Sequence, residues 1–448
     1  MEIRQFVTES LGDASYLVAS DGVAAVVDPQ RDVRPYLEAA AELGVRIEFV
    51  VETHVHNDYV SGGRELAVLG AEVCVPADAG IEFPHRELAD RDEVQVGRAR
   101  LRAVRAPGHT HHHTAYLAID EDGRTLGCFT GGSIIIGGAG RTDLLGPEHT
   151  EALTAQQFES AQRIAALLTD TAEVLPTHGA GSFCSSSPGV TERRAPLEVE
   201  RTRNPVLTSP DAASFAAIQL ASPGPIPAYY RHMAPINRRG PRVYGTPPEP
   251  DALTPERLEA VRAGGAYVVD VRSRFAFARA HVPSSLSIEE GDATLAYVSW
   301  LTPFDAELVL VSLDAEQAQR LTVDLLRIGY ERVRGFVPFE EWAAARPTAS
   351  LDTATAAEVA RRHAVRDVPL FDVRFDYEQQ EVALDGATHR PLDRLDEWLP
   401  AEPLERMLVS CASGSRAATV GSALLAAGRA PLVLIDGGAA DLASATPA

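Results

Sequence analysis

The sequence predicts a multidomain α/β protein, and three observations carry that prediction. The chain has 448 residues, 45 % of them hydrophobic, enough for about three domains of ordinary size. Its first part alternates short β-like runs with helical spacing. Its last part, residues 252–448, repeats one strand–loop–helix pattern. These features divide the chain into 1–203, a proline-rich strap over 204–251, and two α/β modules over 252–348 and 349–448.

Tyr16 to Ser20 and Val23 to Val27 read as strands joined at Asp21-Gly22. Arg34 to Leu43 has helical spacing, with apolar Leu37, Ala40, Ala41 and Leu43. Ile47 to Val51 is an apolar run of the kind that forms a buried strand, and it leads into Thr53-His54-Val55-His56-Asn57-Asp58-Tyr59. Ser61 to Ala67 then turns into a helix that ends near Leu69. Two histidines and an aspartate thus stand at a strand end, the usual place for ligands in α/β proteins. Neutral imidazole is the commonest protein metal ligand, and His-x-His lets two rings reach one ion. The plain alternative is a polar turn whose histidines satisfy one another.

Two later stretches repeat the pattern. Leu101 to Val104 runs into Pro107-Gly108-His109-Thr110, and Ala172 to Leu175 runs into Pro176-Thr177-His178-Gly179. Strands that each end in histidine suggest one shared site. His111, His112 and His113 follow His109 directly and either line the rim of the site or, as expected, face solvent. Gly131-Gly132, Gly137-Gly138 and Gly140 form a loop suited to close approach. Arg141 follows it, either braced by Asp143 or holding a carboxylate of a small thiol substrate. Cys184 lies six residues beyond His178 and is expected to be a buried, inert thiol.

These motifs resemble the metallo-β-lactamase superfamily, whose strand-end motif is His-x-His-x-Asp-His with later His, Asp and His ligands. The nearest branch holds glyoxalase II and the persulfide dioxygenases. Glu52-Thr53-His54, Ser61-Gly62 and Gly140-Arg141-Thr142-Asp143-Leu144 are similar to the dioxygenase side. The resemblance spans residues 1–200 and implies two sheets with outer helices, an αββα sandwich. Alternation alone also allows a doubly wound sheet. Two departures stand out. Tyr59 replaces the last motif histidine, and Gly132 follows Thr130-Gly131 where the family has aspartate. The family's His-His-Asp iron site cannot form in its usual way. His54, His56 and His109 remain at the centre, with Asp58 and His178 nearby. They imply one Fe(II) or Zn(II), or a pocket in which metal is weak or absent.

From Thr191 the character changes. Ala213 to Leu220 reads as a short helix, and prolines from Pro223 to Pro250 are expected to interrupt all regular structure beyond it. Tyr229, Tyr230, Met233 and Ile236 are apolar enough to pack back, so an ordered strap is expected.

In the repeat, Ala266 to Arg272 matches Val368 to Arg374, each a strand ending in Asp-Val-Arg. Leu308 to Leu313 matches Arg406 to Cys411, and Val333-Arg334-Gly335 matches Ile435 to Gly438. Parallel sheets are expected from this strand–helix alternation. With Ala280-His281-Val282-Pro283, these stretches resemble rhodanese domains. The sharpest chemical motif is Cys411-Ala412-Ser413-Gly414-Ser415-Arg416, which opens a helix over 417–427. A loop wound at a helix N-terminus turns backbone N–H groups inward and, with Arg416, stabilises a thiolate or an anionic sulfur. Ala412, Ser413, Gly414 and Ser415 form the cradle, with Cys411 and Arg416 as the catalytic pair. A structural cysteine in a tight turn is the plain alternative. In the first copy Leu313 stands in place of Cys411, followed by acidic Asp314 and Glu316. That copy is expected to be a scaffold.

The net charge is −22, which argues against nucleic acid and anionic membrane surfaces as partners. Lysine is absent, which excludes Schiff-base chemistry on lysine. The four cysteines are scattered, no run reaches membrane-spanning length, and Met1 to Phe6 lacks a signal-peptide core. A cytoplasmic protein is expected, with a homo-oligomer left open. The resulting reading is a sulfur-handling enzyme. Cys411 takes sulfur as a persulfide and passes it to a small thiol or the N-terminal pocket. Glutathione persulfide or thiosulfate is the expected donor. The alternatives are an active iron-dependent persulfide dioxygenase and a metal-dependent hydrolase of glyoxalase II type.

Overall fold

The computed structural model describes residues 1–185, 190–221, 224–366 and 368–445. Pro223 of the strap lies outside them. The chain forms two compact units. The first comprises Met1–Pro223, Tyr229–Pro247 and Leu326–Gly329, and the second comprises Gly224–Ala228, Pro248–Leu325 and Tyr330–Ala448.

The first unit is built on two six-stranded sheets. One runs in sequence order through β1 (Glu2–Thr8), β2 (Asp13–Ser20), β3 (Val23–Val27), β4 (Arg46–Val51), β5 (Glu72–Pro76) and β6 (Arg86–Leu88). β2 and β3 pair antiparallel through Asp21 and Gly22, whose φ values are 49° and 79°. Two left-handed residues give the turn hand that matches strand twist. β3 and β4 pair parallel and need a crossover, which α1 (Arg34–Leu43) supplies; α2 (Gly63–Ala67) links β4 to β5.

The other sheet has β12 (Ala195–Pro196), β11 (Glu173–Pro176), β10 (Thr125–Gly131), β9 (Thr114–Ile119), β8 (Ala99–Arg105) and β7 (Glu93–Val96) in that spatial order. β11 joins β10 in parallel after α3 (Pro147–Leu167).

Burial shows why these layers form. Tyr16, Val18, Val27 and Val51 of the first sheet face Leu101, Tyr116, Phe129 and Leu175 of the second. Leu17, Val26 and Val50 point the other way, under Tyr36, Ala39 and Leu66 of the helices. Leu117, Ile119, Cys128 and Val174 lie under Ala161, Ile164 and Ala165 of α3. The alternation of β2 therefore serves two cores, and the layers are helix, sheet, sheet, helix. This is the expected αββα sandwich. The face of α1 differs from expectation: Tyr36, Ala39 and Ala40 are buried, while Leu37 is 38 % exposed. Polar bonding fixes that phase, because Tyr36 Oη lies 2.7 Å from Ser15 Oγ and accepts from Gln30 N–H at 2.8 Å.

The strap is more regular than its prolines imply. After α4 (Leu197–Arg203) come α5 (Pro205–Thr208), α6 (Ala212–Gln219) and α7 (Tyr230–Arg239), and Pro235 lies inside α7. The expectation that proline breaks all structure here is corrected. An interior proline costs about 3 kcal/mol. The loss is offset by burial of Tyr230, Met233 and Asn237 on one face. Asn237 Nδ2 donates to His56 O at 3.0 Å and Tyr59 O at 2.8 Å, and its Oδ1 accepts from Ser61 N–H at 2.9 Å.

The second unit holds two four-stranded parallel sheets, as the repeat predicts. The first has the order β14 (Leu286–Ser287), β13 (Tyr267–Asp270), β15 (Leu308–Ser312), β16 (Val333–Pro338). Around it lie α8 (Pro255–Ala263), α9 (Arg274–Arg279), α10 (Thr294–Leu301), α11 (Ala315–Arg327) and α12 (Phe339–Ala345). The second has the order β18 (Thr388–His389), β17 (Leu370–Asp372), β19 (Arg406–Ser410), β20 (Ala430–Val433). Its helices are α13 (Ala356–Ala364), α14 (Asp376–Glu381), α15 (Leu395–Trp398), α16 (Ser415–Ala426) and α17 (Ala439–Ala445).

Each Asp-Val-Arg makes one brace. Arg272 holds Asp270 at 2.9 and 2.6 Å and reaches Ala280 O at 2.9 Å. Arg374 holds Asp372 at 2.9 and 2.7 Å and reaches Val382 O at 2.7 Å. Ser287 N–H donates to Ser422 Oγ at 2.8 Å, and Arg274 Nε donates to Ile435 O at 2.8 Å, so the modules are joined by hydrogen bonds. No helix among the described residues is long and apolar enough to cross a membrane.

Asn237→Ala removes α7's polar anchor and leaves buried carbonyls unpaired, a loss of about 2–3 kcal/mol. Amide hydrogen exchange over 230–239 is expected to accelerate sharply, while β2 and β8 stay protected.

Candidate metal centre and cysteine loop

The strand ends of both sheets in the first unit meet at one buried cluster. Val27 ends β3 at Asp28, Val51 ends β4 before Glu52-Thr53-His54, and β11 ends at Thr177-His178. The loops after β8 and β10 bring His109, His113 and Gly132. His54, His56, His109, His113 and His178 are at most 1 % exposed.

The ligand nitrogens of His54, His109 and His178 lie within 4.8 Å of one another. Each ring has an oxygen partner on its other nitrogen. His54 Nδ1 is 2.8 Å from Thr53 Oγ1, which donates onward to Asp28 Oδ2 at 2.7 Å. His109 Nδ1–H donates to Arg141 O at 2.7 Å. His178 Nδ1–H lies between Asp13 Oδ1 at 3.0 Å and Asp58 Oδ2 at 3.1 Å. Such partners fix the tautomer and aim the Nε2 lone pair inward.

His109 Nε2 is buried with no hydrogen-bond partner among the described residues, and the Nε2 atoms of His54 and His178 are 3.3 Å apart. Burial, then His178, lowers His109 to about 3, and burial with the neighbouring rings holds His54 well below its usual range. His178 goes the other way: despite burial, Asp58 and Asp13 raise it to about 10. A proton on His178 or a cation can lie between the two Nε2 atoms. His54 and His109 are held neutral, and a divalent ion would take the place of the His178 Nε2 proton, so the cluster can hold a metal.

His56 is placed differently. Its Nε2 faces Glu52 Oε2 at 3.0 Å, Asp28 Oδ1 at 3.2 Å and Tyr59 Oη at 3.0 Å. Against the burial penalty, the Asp28 and Glu52 carboxylates push it well above its usual range. Tyr59 stacks on His56 with ring centroids 4.3 Å apart and donates to Asp28 O at 3.2 Å. His56 Nδ1 is buried without a hydrogen-bond partner among the described residues. Among the described residues His56 enters candidate ligand groups with Asp28 and His54, and with Asp58 and His178, but in no group with both His54 and His109.

Gly132 has a direct consequence. A Cβ there would meet His109 Cδ2 at 2.5 Å, so the His109 ring occupies the space of a side chain at 132. Gly132 N–H donates to His113 Nε2 at 2.9 Å. His113 is therefore buried, which corrects the expectation that it faces solvent; His111 is exposed and His112 half-buried. The backbone of the glycine loop, brought close by the missing side chain, captures the ring. Asp13, Asp28 and His113 were not identified from the sequence. Asp28 carries a readable hint in Asp28-Pro29 at a strand end, but its φ of 50° does not.

Arg141 is 6 % exposed, and its fork holds Asp143 at 2.9 and 2.6 Å. Cys184 is fully buried, and its thiol lies 3.5 Å from Tyr230 Oη.

In the second unit, β19 ends at Cys411 and α16 begins at Ser415. Cys411 Sγ accepts from Gly414 N–H at 3.1 Å and from Ala417 N–H at 3.4 Å. Ala412 and Ser413 form the exposed tip, and Ser415 is half-buried. Gly414 has φ +94°, and its Cβ would run into Ile435 O, so a side chain would open the loop. Arg416 is drawn into a bidentate pair with Glu378 of α14, with its Nη2 donating to Oε1 at 2.7 Å, and its guanidinium sits 4.4 Å from the Phe375 ring centroid. In the first module Leu313 is 68 % exposed, and its N–H is held by Gln317 Oε1 at 2.8 Å.

No protein-family model matches the chain. The hydroxyacylglutathione hydrolase of Gloeobacter violaceus is 41 % identical over 125 residues, which are 26 % of this chain and 46 % of that protein. The hydroxyacylglutathione hydrolase of Albidiferax ferrireducens is 34 % identical over 153 residues, which are 34 % of this chain and 56 % of that protein. The chain thus spans about half the length of the curated relatives it matches. A crystal structure of a metallo-β-lactamase from Staphylococcus aureus superposes with a TM-score of 0.69 at 28 % identity, covering 75 % of this chain and 99 % of that one. The first unit therefore has the metallo-β-lactamase fold, and α/β modules with parallel sheets follow it in the chain.

Proposed function

We propose that this protein is a sulfur-handling enzyme whose Cys411 carries sulfur as a persulfide. The observation that supports this most is the pair of backbone N–H groups aimed at Cys411 Sγ from the start of α16. Such donors favour negative charge on sulfur. The module resembles a rhodanese in its Asp-Val-Arg strand and in the six-residue loop from Cys411 to Arg416. In the reaction, the Cys411 thiolate attacks the outer sulfur of thiosulfate, the S–S bond breaks, and sulfite leaves with its electron pair. A small thiolate then attacks the outer persulfide sulfur, and Cys411 leaves as thiolate. Ala412, Ser413 and Ser415 would shape the loop's mouth. Arg416, held by Glu378, would position the loop wall rather than bind the donor itself.

A second reading is carried by a different observation, the converging nitrogens of His54, His109 and His178. Here the first unit acts on a glutathione thioester or persulfide. The names of the relatives make a glutathione compound the natural substrate class. An iron or zinc ion bound there would supply Lewis acidity, and iron also oxygen chemistry. The chain's own part is to fix three imidazole tautomers through Thr53, Arg141, Asp13 and Asp58. Asp13 and Asp58 are both buried beside His178 Nδ1. Burial and then Asp58 raise Asp13 to about 7, while, despite burial, His178 holds Asp58 below the usual carboxylate range, so the two carboxyls and His178 share protons as one group. Arg141 is occupied by Asp143, so a carboxylate role for it would require that pair to open.

Cys411→Ser is expected to reduce sulfur transfer from thiosulfate to cyanide at least a thousandfold without changing the melting curve; an unchanged rate would refute the persulfide. Metal content separates the ligand sets. By mass spectrometry of purified protein, His178→Ala is expected to lose the ion as completely as His54→Ala and His109→Ala. Full loading in His178→Ala would favour the set of His54, His56 and His109. Gly132→Asp is expected to lower the melting temperature rather than improve loading, because its Cβ overlaps His109.

A further inference from the structure

The second module of the second unit holds a cavity of about 370 Å³ that neither reading of function uses. It lies at the edge of the sheet away from the cysteine loop. β17 begins at Leu370, which lines the cavity, whereas the parallel β19 ends at Ser410, next to Cys411. The volume is in the range of small-molecule sites, about 300–1,000 Å³.

Its floor is apolar. Val359 of α13, Leu370 of β17 and Leu442 of α17 line it from the core side, and all three are buried. The facing wall is the loop after α14, which brings Val382, Ala383 and Leu384. Val382 and Ala383 are exposed, so the cavity opens to solvent. One hydrogen bond ties the two walls: His363 Nε2–H donates to Asp385 O at 2.6 Å. Charge stands at the mouth. Arg366 and Asp385 both line the cavity and both are exposed. Among the described residues neither side chain makes an ion pair, with the other or with a third group. Arg366 also holds an unusual backbone. It follows α13 at φ +51°, a left-handed position that ordinarily goes to glycine. The chain thus keeps an arginine, against that preference, at the helix end that borders the cavity.

A complementary ligand has three parts: an apolar body for the floor, an anionic group for Arg366 and a cationic group for Asp385. An α-amino acid with an apolar side chain carries all three on one small skeleton. We propose that this cavity binds such an amino acid, with its carboxylate on Arg366, its ammonium on Asp385 and its side chain against Val359, Leu370 and Leu442. A guanidinium takes a carboxylate through two parallel N–H···O bonds, and an ammonium–carboxylate contact is charge-assisted in the same way. Removing the apolar side chain from water supplies the remaining attraction. The inference rests on neither reading of function, because the cavity includes no residue of the cysteine loop or of the histidine cluster.

The test is calorimetric titration of the full chain with L-leucine and three relatives that each lack one part. 4-Methylpentanoate has no ammonium, isoamylamine has no carboxylate, and glycine has no apolar body. L-Leucine is expected to bind about tenfold or more tightly than any of the three. Arg366→Gln and Asp385→Asn change exposed side chains, so the fold is retained, and each is expected to weaken L-leucine about tenfold. Ala383→Trp, which fills the mouth, is expected to weaken it at least as much. Arg361→Gln, on α13 but outside the lining, is expected to leave the affinity unchanged. The proposal is overturned if L-leucine does not bind, or if any of the three relatives binds as tightly as L-leucine does. It is equally overturned if Arg366→Gln, Asp385→Asn or Ala383→Trp binds L-leucine like the wild type, or if Arg361→Gln loses as much affinity as Arg366→Gln.

Discussion

The carboxylate of Asp28 is the interaction on which the first unit's site depends. It is fully buried at the end of β3. It accepts from Thr53 N–H and Thr53 Oγ1–H, both at 2.7 Å, and from the Thr177 hydroxyl, and it lies 3.2 Å from His56 Nε2. One side chain therefore ties together the ends of β3, β4 and β11. Despite the burial penalty, His56 and these donors hold Asp28 below the usual carboxylate range. A buried charge so fully hydrogen-bonded is costly to remove and leaves its partners orphaned if lost. The bond through Thr53 Oγ1 also reaches His54 Nδ1, so the same carboxylate that aligns the strands sets the direction of a candidate ligand. Fold and site are not separable at this point.

That coupling explains how the cluster absorbs two departures from the superfamily motif. Tyr59 fills its place by stacking on His56, and His56 Nε2 turns to the carboxylates of Asp28 and Glu52. Gly132 frees the space that the His109 ring takes up. In both places a ring fills the volume, as dense packing demands. Among the described residues the nitrogens of His54, His109 and His178 converge from three strand ends, and His54 and His56 share a second group with Asp28.

Much of this was legible in the sequence because periodicity and strand-end position are local signals. The hairpin at Asp21-Gly22, the extent of α1, the strands before each histidine motif, and the repeat over residues 252–448 all follow from such signals. What stayed hidden was set by tertiary partners. The buried face of α1 depends on Tyr36 finding Ser15. His113 is buried because a glycine backbone reaches it, and α7 survives Pro235 because Asn237 binds two carbonyls far away in sequence. The pair that Arg416 makes with Glu378, 38 residues earlier, is of the same kind. Hydrogen-bond partners distant in sequence leave no periodic trace.

The two modules of the second unit separate what the fold needs from what the chemistry needs. Both keep the same Asp–Arg brace, down to the carbonyl that the arginine reaches eight residues on. The brace pins the strand to the loop that follows it, and buried charges of this kind must stay paired to be tolerated. The loop after the next strand is under no such constraint. In one module it closes on a sulfur with two N–H groups. In the other, a glutamine side chain fills the loop and Leu313 points outward. The module without a cysteine keeps its brace, sheet and helices around this glutamine-held loop. Its α10 carries Trp300 against Phe375, the ring on which Arg416 rests, so the module without a cysteine forms part of the wall of the loop that has one.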